Sequence, residues 1–243
     1  MTTNLPTIIA TSGGFTQGRR SPIAYAPLIH YAISRSGVVG RSPSICHIST
    51  ASGDQRYWQA NLDMAAKDAG IVCSHLNLFP MPNVDDIESF LGDHHVIWVG
   101  GGSVANLLAL WSLHGLDAIM KRLWLSGKVL GGVSAGSICW HIGGTTDSFG
   151  PDLKVVNNGL GLIPYSNGVH YNSELQRRPL FQDAIKSGML PEGYATDDGV
   201  GLVYVGTELE GAVSEVDGRF AYSVRPSGSD VVEEPIEPVA LAR

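Results

Sequence analysis

Ser134 is the residue whose surroundings most clearly suggest chemistry. In GGVSAGSICW, residues 131–140, glycines lie two positions away on either side, at Gly132 and Gly136. The pattern G-x-S-x-G between a strand and a helix is typical of a nucleophile elbow, a turn so sharp that side chains at the flanking positions would collide. The turn raises the serine oxygen above the edge of a sheet, at a helix start that favours negative charge. The alternative interpretation is a tightly packed turn without chemistry.

A second glycine-rich run offers backbone hydrogen-bond donors. The run GGGS, residues 100–103, follows the apolar stretch VIWV. With the N–H group of Ala135 beside the serine, the N–H group of Gly102 would be the second donor to an oxyanion, and one such donor contributes about 3 kcal/mol to transition-state stabilisation. A phosphate cradle is the alternative, but the run lacks the lysine of a P-loop and the spacing of a dinucleotide-binding motif.

A serine nucleophile needs a base, and the chain contains eight histidines. His170, in YSNGVHYNSE, ends a short extended segment that leads into a helix, where a loop can aim the ring at the edge of a sheet. His141 lies seven residues beyond Ser134 on the same predicted helix, which carries its ring away from the serine oxygen. The other six lie in helical, strand or turn patterns that are typical of structural or surface histidines. We therefore expect His170 to be the base.

Two carboxylates are candidates for orienting that base. Asp198 lies in YATDDGVGL at the end of an extended run, and Asp147 lies in GGTTDSFGP just beyond the elbow helix. Either would bond the second ring nitrogen and hold the tautomer. Asp197 would point to the opposite face if its segment is a strand, because side chains alternate along a strand.

Alternating apolar and amphipathic runs predict the elements that position these residues. The predicted strands are 7–11, 44–50, 71–78, 95–100 and 128–134, and the predicted helices between them are 23–35, 54–69, 84–91 and 104–126. Strand and helix in regular alternation predict an α/β fold, a three-layer sandwich with a mainly parallel central sheet and helices on both faces.

Loops are predicted after residue 143, where the sequence is rich in Gly, Asn, Ser and Pro. A helix is predicted at about 173–187, and short antiparallel strands follow it near the C-terminus. The tail from about residue 226 carries prolines and acidic residues and is expected to be loose or to form an edge. With no repeat or linker in the sequence, we expect a single domain over residues 1–243.

Composition excludes several classes of function. A net charge of −7 leaves no basic surface for nucleic acid. The longest apolar runs fall short of the roughly 18 residues of a membrane helix, and the N-terminus lacks the features of a signal peptide, so we expect a cytoplasmic protein. The three cysteines lie in apolar runs as small core residues. No HxxEH or paired Cys/His spacing appears, and we expect neither a metal nor a cofactor.

Five stretches taken together resemble the peptidase E family of serine peptidases. They are WVGGGSVANLL, GVSAGSICW, GTTDSFGP, HYNSELQRRPLF and GYATDDGVGL, and the similarity extends from residue 7 to residue 222. The family has the class I glutamine amidotransferase-like fold, with serine in place of cysteine as the nucleophile. The resemblance implies that Ser134 is the nucleophile, His170 the base, and the amides of Gly102 and Ala135 the oxyanion hole.

The resemblance places the orienting acid at Asp198 or at Asp147. We favour Asp198, because it ends a strand at the expected edge of the site, and keep Asp147 as a loop residue of the site. The chain order Ser134, His170, Asp198 differs from the order serine, acid, histidine of α/β-hydrolase esterases, which are the alternative enzyme class. With Asp147 as the acid, the chain order would match that of the esterases. Only the spacing of the three residues along the chain would then argue against an esterase.

Peptidase E relatives cleave short peptides, above all dipeptides, after an N-terminal aspartate. A substrate carboxylate needs a cation, and Arg177 and Arg178 lie on the helix after His170. Arginine binds carboxylates bidentately, although two solvated helix arginines are the alternative interpretation. Ser103 stands where the dipeptidases usually carry asparagine, which leaves strict selectivity for aspartate open.

A small peptide is therefore the expected partner of this chain, with a homodimer left open. A non-catalytic small-molecule-binding module on the same fold is the remaining alternative, because fold alone does not determine function.

Overall fold

Runs rich in valine and isoleucine form the centre of the computed structural model, which describes residues 5–242. The first of them, Thr7–Thr11, is buried along its whole length, and so is Val96–Val99. Branched side chains suit strands that are covered on both faces, because their restricted rotamers pack well on a pleated surface.

Sixteen strands are described. They are β1 (Thr7–Thr11), β2 (Phe15–Thr16), β3 (Ala24–Tyr25), β4 (Ser44–Ile48), β5 (Val72–Leu76), β6 (Val96–Val99), β7 (Val129–Val133), β8 (Gly143–Thr146), β9 (Lys154–Val156), β10 (Ser166–Gly168), β11 (Gly193–Thr196), β12 (Val200–Val205), β13 (Glu208–Ser214), β14 (Ala221–Ser227), β15 (Asp230–Ile236) and β16 (Val239–Ala240).

The helices of the described residues lie mainly between the strands of the first half. They are α1 (Pro27–Arg35), α2 (Arg56–Ala69), α3 (Ile87–Gly92), α4 (Val104–His114), α5 (Leu116–Leu125), α6 (Ala135–Ile138) and α7 (Arg177–Lys186), with a short 3-10 turn at Thr50–Ser52.

An eight-stranded sheet lies at the centre, in the order β16-β13-β12-β1-β7-β6-β4-β5. Strands β1, β7, β6, β4 and β5 are parallel to their neighbours in this series, whereas β12 is antiparallel to β1 and β13 is antiparallel to β12. The carboxyl ends of parallel strands meet at one edge of such a sheet, where ligands bind. The predicted α/β fold with a mainly parallel central sheet is confirmed.

Helices cover both faces of this sheet. On one face, α1 and α2 pack with Ile9 and Trp98. On the other face, α3, α4, α5 and α6 pack with Ile8 and Val99. Ile8 and Ile9 are neighbours in β1 and point to opposite faces, since side chains alternate along a strand. The result is the predicted arrangement of three layers.

A second sheet of six strands was not predicted. Its order is β15-β14-β11-β10-β8-β9, and it includes three short strands within the region that was predicted to be loop after residue 143. Helix α7 packs on this sheet through Phe181 and Ile185, which join a separate apolar cluster with Ala195 and Val224. The C-terminal part of the chain therefore has its own sheet beside the central one.

Two further predictions need correction. The helix predicted over 104–126 is two helices, because Gly115 adopts a left-handed conformation (φ 71°) that ends α4 and precedes α5. The tail from about residue 226 is not loose. Its strand β15 pairs with β14 at the edge of the six-stranded sheet, and β16 pairs with β13 at the edge of the central sheet. The tail therefore forms sheet edges, which was the other outcome expected from the sequence.

Among residues 5–242, every helix falls short of the length and apolarity that crossing a membrane requires.

Candidate active site

Ser134 occupies the turn between β7 and α6, in a backbone conformation that serine rarely adopts. Its φ of 57° and ψ of −112° lie outside the favourable regions for an L residue. Such a conformation costs about 1–3 kcal/mol and persists only where the surroundings enforce it. Among the described residues, Asp54 and His170 are the other non-glycine positions with positive φ. The turn predicted from G-x-S-x-G is present.

The two flanking glycines are required by backbone packing. A Cβ atom on Gly132 would overlap the carbonyl oxygens of Gly136 and Val99, and a Cβ atom on Gly136 would overlap the carbonyl oxygen of Val99. Strand β6, which carries Val99, therefore lies so close to the turn that both positions admit only glycine.

Strand β1 holds the turn from its other side. The N–H group of Ser134 donates to the carbonyl oxygen of Thr11 at 3.0 Å, and Thr11 Oγ1 donates to the carbonyl oxygen of Gly132 at 3.0 Å. Both contacts lie at the carboxyl end of β1. The strained serine is thus fixed to two neighbouring strands, β1 and β6.

The glycine run after β6 lies against the serine. A Cβ atom built on Gly101 would lie 3.4 Å from Ser134 Cβ and 3.9 Å from its Oγ. Gly102 has a φ of 129°, and a Cβ atom there would overlap the carbonyl oxygen of Ala51. Glycine is therefore required at this position. Ser103 directly precedes α4 as its N-cap residue, and its Oγ accepts a hydrogen bond from the N–H group of Asn106 at 3.2 Å. Its hydroxyl is engaged in capping the helix.

His170 and Asp198 contact each other. Nδ1 of His170 lies 2.6 Å from Oδ1 of Asp198, and the two side chains are 23% and 41% exposed, so the pair is open to a substrate from solvent. His170 follows β10 by two residues, and Asp198 follows β11 by two residues. Because β10 and β11 are parallel neighbours, the ends of these strands bring the two side chains together. The predicted contact is present, but Asp198 extends from the six-stranded sheet and not from the sheet that carries Ser134.

Ser12, directly after β1, is a residue that the sequence did not identify. Its Oγ accepts a hydrogen bond from the N–H group of His170 at 3.1 Å and lies 2.7 Å from Thr196 Oγ1. Asn172 acts similarly, since its Oδ1 accepts from the N–H group of Asp198 at 2.7 Å. An isolated serine after a strand has no distinguishing pattern, and only the contact with the histidine segment reveals its role.

The two other aspartates have different surroundings from Asp198. Asp197 is buried, and its Oδ2 accepts from the N–H group of Phe220 at 3.1 Å and lies 3.4 Å from the hydroxyl of Tyr222. Asp147 lies on the loop after β8 and lines a cavity of about 580 Å³ with Glu174. The neighbouring hydroxyls of Thr146 and Ser148 bond each other at 2.7 Å.

Arg177 and Arg178 do not offer free cations to a ligand. Arg177 is 2% exposed and donates to the carboxylate of Glu174 at 2.7 Å and to a backbone carbonyl of β8. Arg178 forms an ion pair with Glu233 at 2.8 Å. The structure does not support the prediction that this pair binds a substrate carboxylate. The alternative of two solvated helix arginines is not supported either, because both guanidinium groups are paired within the protein. The guanidinium groups connect α7 to its own sheet.

His141 is excluded as a competing base by its surroundings. Its ring is fully buried between the carbonyl oxygen of Ser137, 2.9 Å from Nδ1, and the hydroxyl of Tyr204, 3.1 Å from Nε2. Burial lowers the pKa of His141 to about 4, because an apolar environment disfavours the charged ring. The ring therefore stays neutral and structural.

Comparison with known proteins identifies a family and a similar protein. The model of peptidase family S51 matches residues 8–211. An uncharacterized peptidase of Bacillus subtilis strain 168, YgaJ, is 40% identical over 194 residues, which are 80% of this chain and 83% of that protein.

Two solved structures share the fold. A peptidase from an acI-B1 actinobacterium superposes with a TM-score of 0.67 at 17% identity, covering 96% of this chain and 95% of that one. A putative peptidase E protein from Listeria monocytogenes EGD-e superposes with a TM-score of 0.56 at 15% identity, covering 96% of this chain and all of that one.

Replacing Gly136 with alanine should destabilise the protein. The added methyl group meets the carbonyl oxygen of Val99, and overpacking of this kind costs about 1–3 kcal/mol. Urea unfolding measures the free energy difference. Gly92→Ala is the matched control, because a Cβ atom there finds its nearest neighbour at 3.8 Å. Equal stability of the two variants would show that the elbow is not constrained by β6.

Proposed function

Because the chain belongs to peptidase family S51 and is a serine-type peptidase, we propose that it hydrolyses short peptides, foremost dipeptides with an N-terminal aspartate, through Ser134, His170 and Asp198. The observation that carries this proposal is the contact of 2.6 Å between His170 Nδ1 and Asp198 Oδ1. Thr11, which binds the N–H group of Ser134, and Ser12, which binds that of His170, are consecutive residues.

In this mechanism His170 moves the protons. Asp198 binds the Nδ1–H group, which leaves Nε2 as the nitrogen that accepts the proton of Ser134 Oγ. The oxygen attacks the scissile carbonyl carbon, and the resulting imidazolium is stabilised by the carboxylate of Asp198. His170 then gives the proton to the leaving amine as the C–N bond breaks. A water molecule, activated by the same ring, hydrolyses the acyl-enzyme and restores the serine.

The oxyanion of the tetrahedral intermediate would be bound by the N–H groups of Ala135 and Gly102. Ala135 is the first residue of α6, and the first N–H groups of a helix have no acceptor within it. Gly102 belongs to the run that lies against Ser134. Donors fixed in advance cost little reorganisation when charge develops on the oxygen, and each contributes about 3 kcal/mol.

Removing Ser134 or His170 should abolish hydrolysis without unfolding the protein. We expect Ser134→Ala and His170→Ala each to lower kcat/KM by several orders of magnitude, with the double variant no worse than either, since the residues act as a unit. Asp198→Asn should lower the rate by up to about 10⁴-fold, because it changes the tautomer of the ring. Peptide hydrolysis and circular dichroism provide the measurements.

Asp147→Asn is the matched control for Asp198→Asn, because it removes a carboxylate that lies on the loop after β8, whereas Asp198→Asn removes the carboxylate that contacts His170. Its effect on kcat/KM should be far smaller. The opposite ranking of the two variants would assign the orienting role to Asp147.

The preference for aspartate has its support in the sequence stretches shared with the aspartyl dipeptidases. Arg177 and Arg178 are engaged within the protein and do not offer free guanidinium groups to the substrate carboxylate. The hydroxyl of Ser103 caps α4, in place of a longer amide. We therefore propose a preference for aspartate that is less strict than a guanidinium would impose.

A panel of dipeptides tests this preference. Asp-X peptides should be hydrolysed with a higher kcat/KM than Glu-X or Asn-X peptides, and peptides with a blocked N-terminus should be poor substrates. Liquid chromatography of the released amino acids measures the rates. Equal rates for Asp-X and Asn-X would refute the selectivity while leaving the roles of Ser134 and His170 unaffected.

A further inference from the structure

Three side chains of types that can bind a metal lie together at the β5 end of the central sheet. Cys73 and His75 are on β5, the last strand in the order of the sheet, and Asp63 is on α2, which covers that strand. Cys73 and His75 are two residues apart, so they share one face of the strand. None of the three takes part in the proposed catalytic mechanism.

The distances between the ligand atoms fit one small ion. His75 Nε2 lies 2.9 Å from Asp63 Oδ1 and 3.7 Å from Cys73 Sγ, and the three ligand atoms all lie within 4.8 Å of one another. A tetrahedral zinc ion, with bonds of about 2.3 Å to sulfur and about 2.0 Å to nitrogen or oxygen, separates its ligand atoms by about 3.3–3.6 Å. Small rotamer changes would bring the three atoms to that geometry.

From this geometry we infer that Asp63, Cys73 and His75 form a binding site for a single zinc ion. One thiolate, one imidazole and one carboxylate suit zinc, whereas calcium and magnesium prefer oxygen ligands alone. The spacing in the sequence, Cys-x-His with an aspartate ten residues earlier on a helix, matches no common zinc motif. Only the packing of α2 on β5 brings the three residues together.

The surroundings make the site accessible and partly ordered in advance. The Asp63 side chain is 58% exposed, whereas that of His75 is 13% exposed, so an ion can enter from the side of α2. The ring of His47, the cross-strand partner of His75, stacks on it with the centroids 6.1 Å apart. His47 Nε2 in turn lies 2.7 Å from the hydroxyl of Tyr25. A ring packed in this way is restricted in orientation, which lowers the cost of binding.

Binding of zinc would displace the thiol proton of Cys73. Zn²⁺ and the Cys–SH group give a Zn–S bond and one released proton, with a water molecule completing four ligands. The ion would join α2 to an edge strand.

Cobalt(II) is the probe for this site, because it occupies zinc sites and absorbs visible light. The full chain, freed of metal with a chelator and kept reduced, should bind one equivalent of Co²⁺. The spectrum should show a thiolate-to-cobalt charge-transfer band and the intense visible bands of tetrahedral cobalt, and zinc should displace both. Cys73→Ser should remove the charge-transfer band, and Asp63→Asn should weaken zinc binding by at least about tenfold.

Asp68→Asn, another exposed aspartate on α2, is the matched control and should bind zinc as the unmodified chain does. Circular dichroism of each variant confirms that it is folded. A spectrum without the charge-transfer band, or zinc binding that is equal in Asp63→Asn and Asp68→Asn, would overturn the proposal. The readout does not depend on peptide hydrolysis, so failure of the proposed catalytic function would leave this test intact.

Discussion

The carboxyl end of β1 joins the two halves of the candidate active site. The carbonyl oxygen of Thr11 accepts the N–H group of Ser134, and the hydroxyl of Ser12 accepts the N–H group of His170. The same hydroxyl lies 2.7 Å from Thr196 Oγ1 on β11. These contacts are buried or partly buried, where a lost hydrogen bond costs more than at the surface. Two consecutive residues therefore set the position of the serine turn relative to the histidine segment.

Two sheets, and not one, carry the residues of the candidate active site. The central sheet presents Ser134 at the end of β7, and the six-stranded sheet presents His170 and Asp198 after β10 and β11. Each side chain follows a strand whose backbone is fixed by its neighbours, and such positions hold a catalytic geometry better than mobile loops do. The strain at Ser134 fits this arrangement, because packed strands on both sides maintain a conformation that an isolated turn would relax.

The sequence predicted the features that leave a short motif and missed those that arise only from long-range pairing. The elbow at Ser134 was predictable because its flanking glycines form a recognisable motif, although the atoms that require them, foremost the carbonyl oxygen of Val99, belong to β6. Strands β8 and β10, with the sequences GGTT and SNG, look like loops, and only pairing with distant strands makes them a sheet. Arg177 was misinterpreted for the same reason, since its burial depends on a carbonyl oxygen 32 residues away. Ser12 gave no local signal at all.

Covalent labelling with a small sulfonyl fluoride tests most directly whether Ser134 is a nucleophile activated by His170. Methanesulfonyl fluoride is a small reagent of this class, and peptide mass spectrometry locates the modified residue. We expect one label per chain, on Ser134, and labelling that is slower by orders of magnitude when His170 is replaced with alanine. Labelling at another residue, or an unchanged rate in the histidine variant, would contradict this expectation.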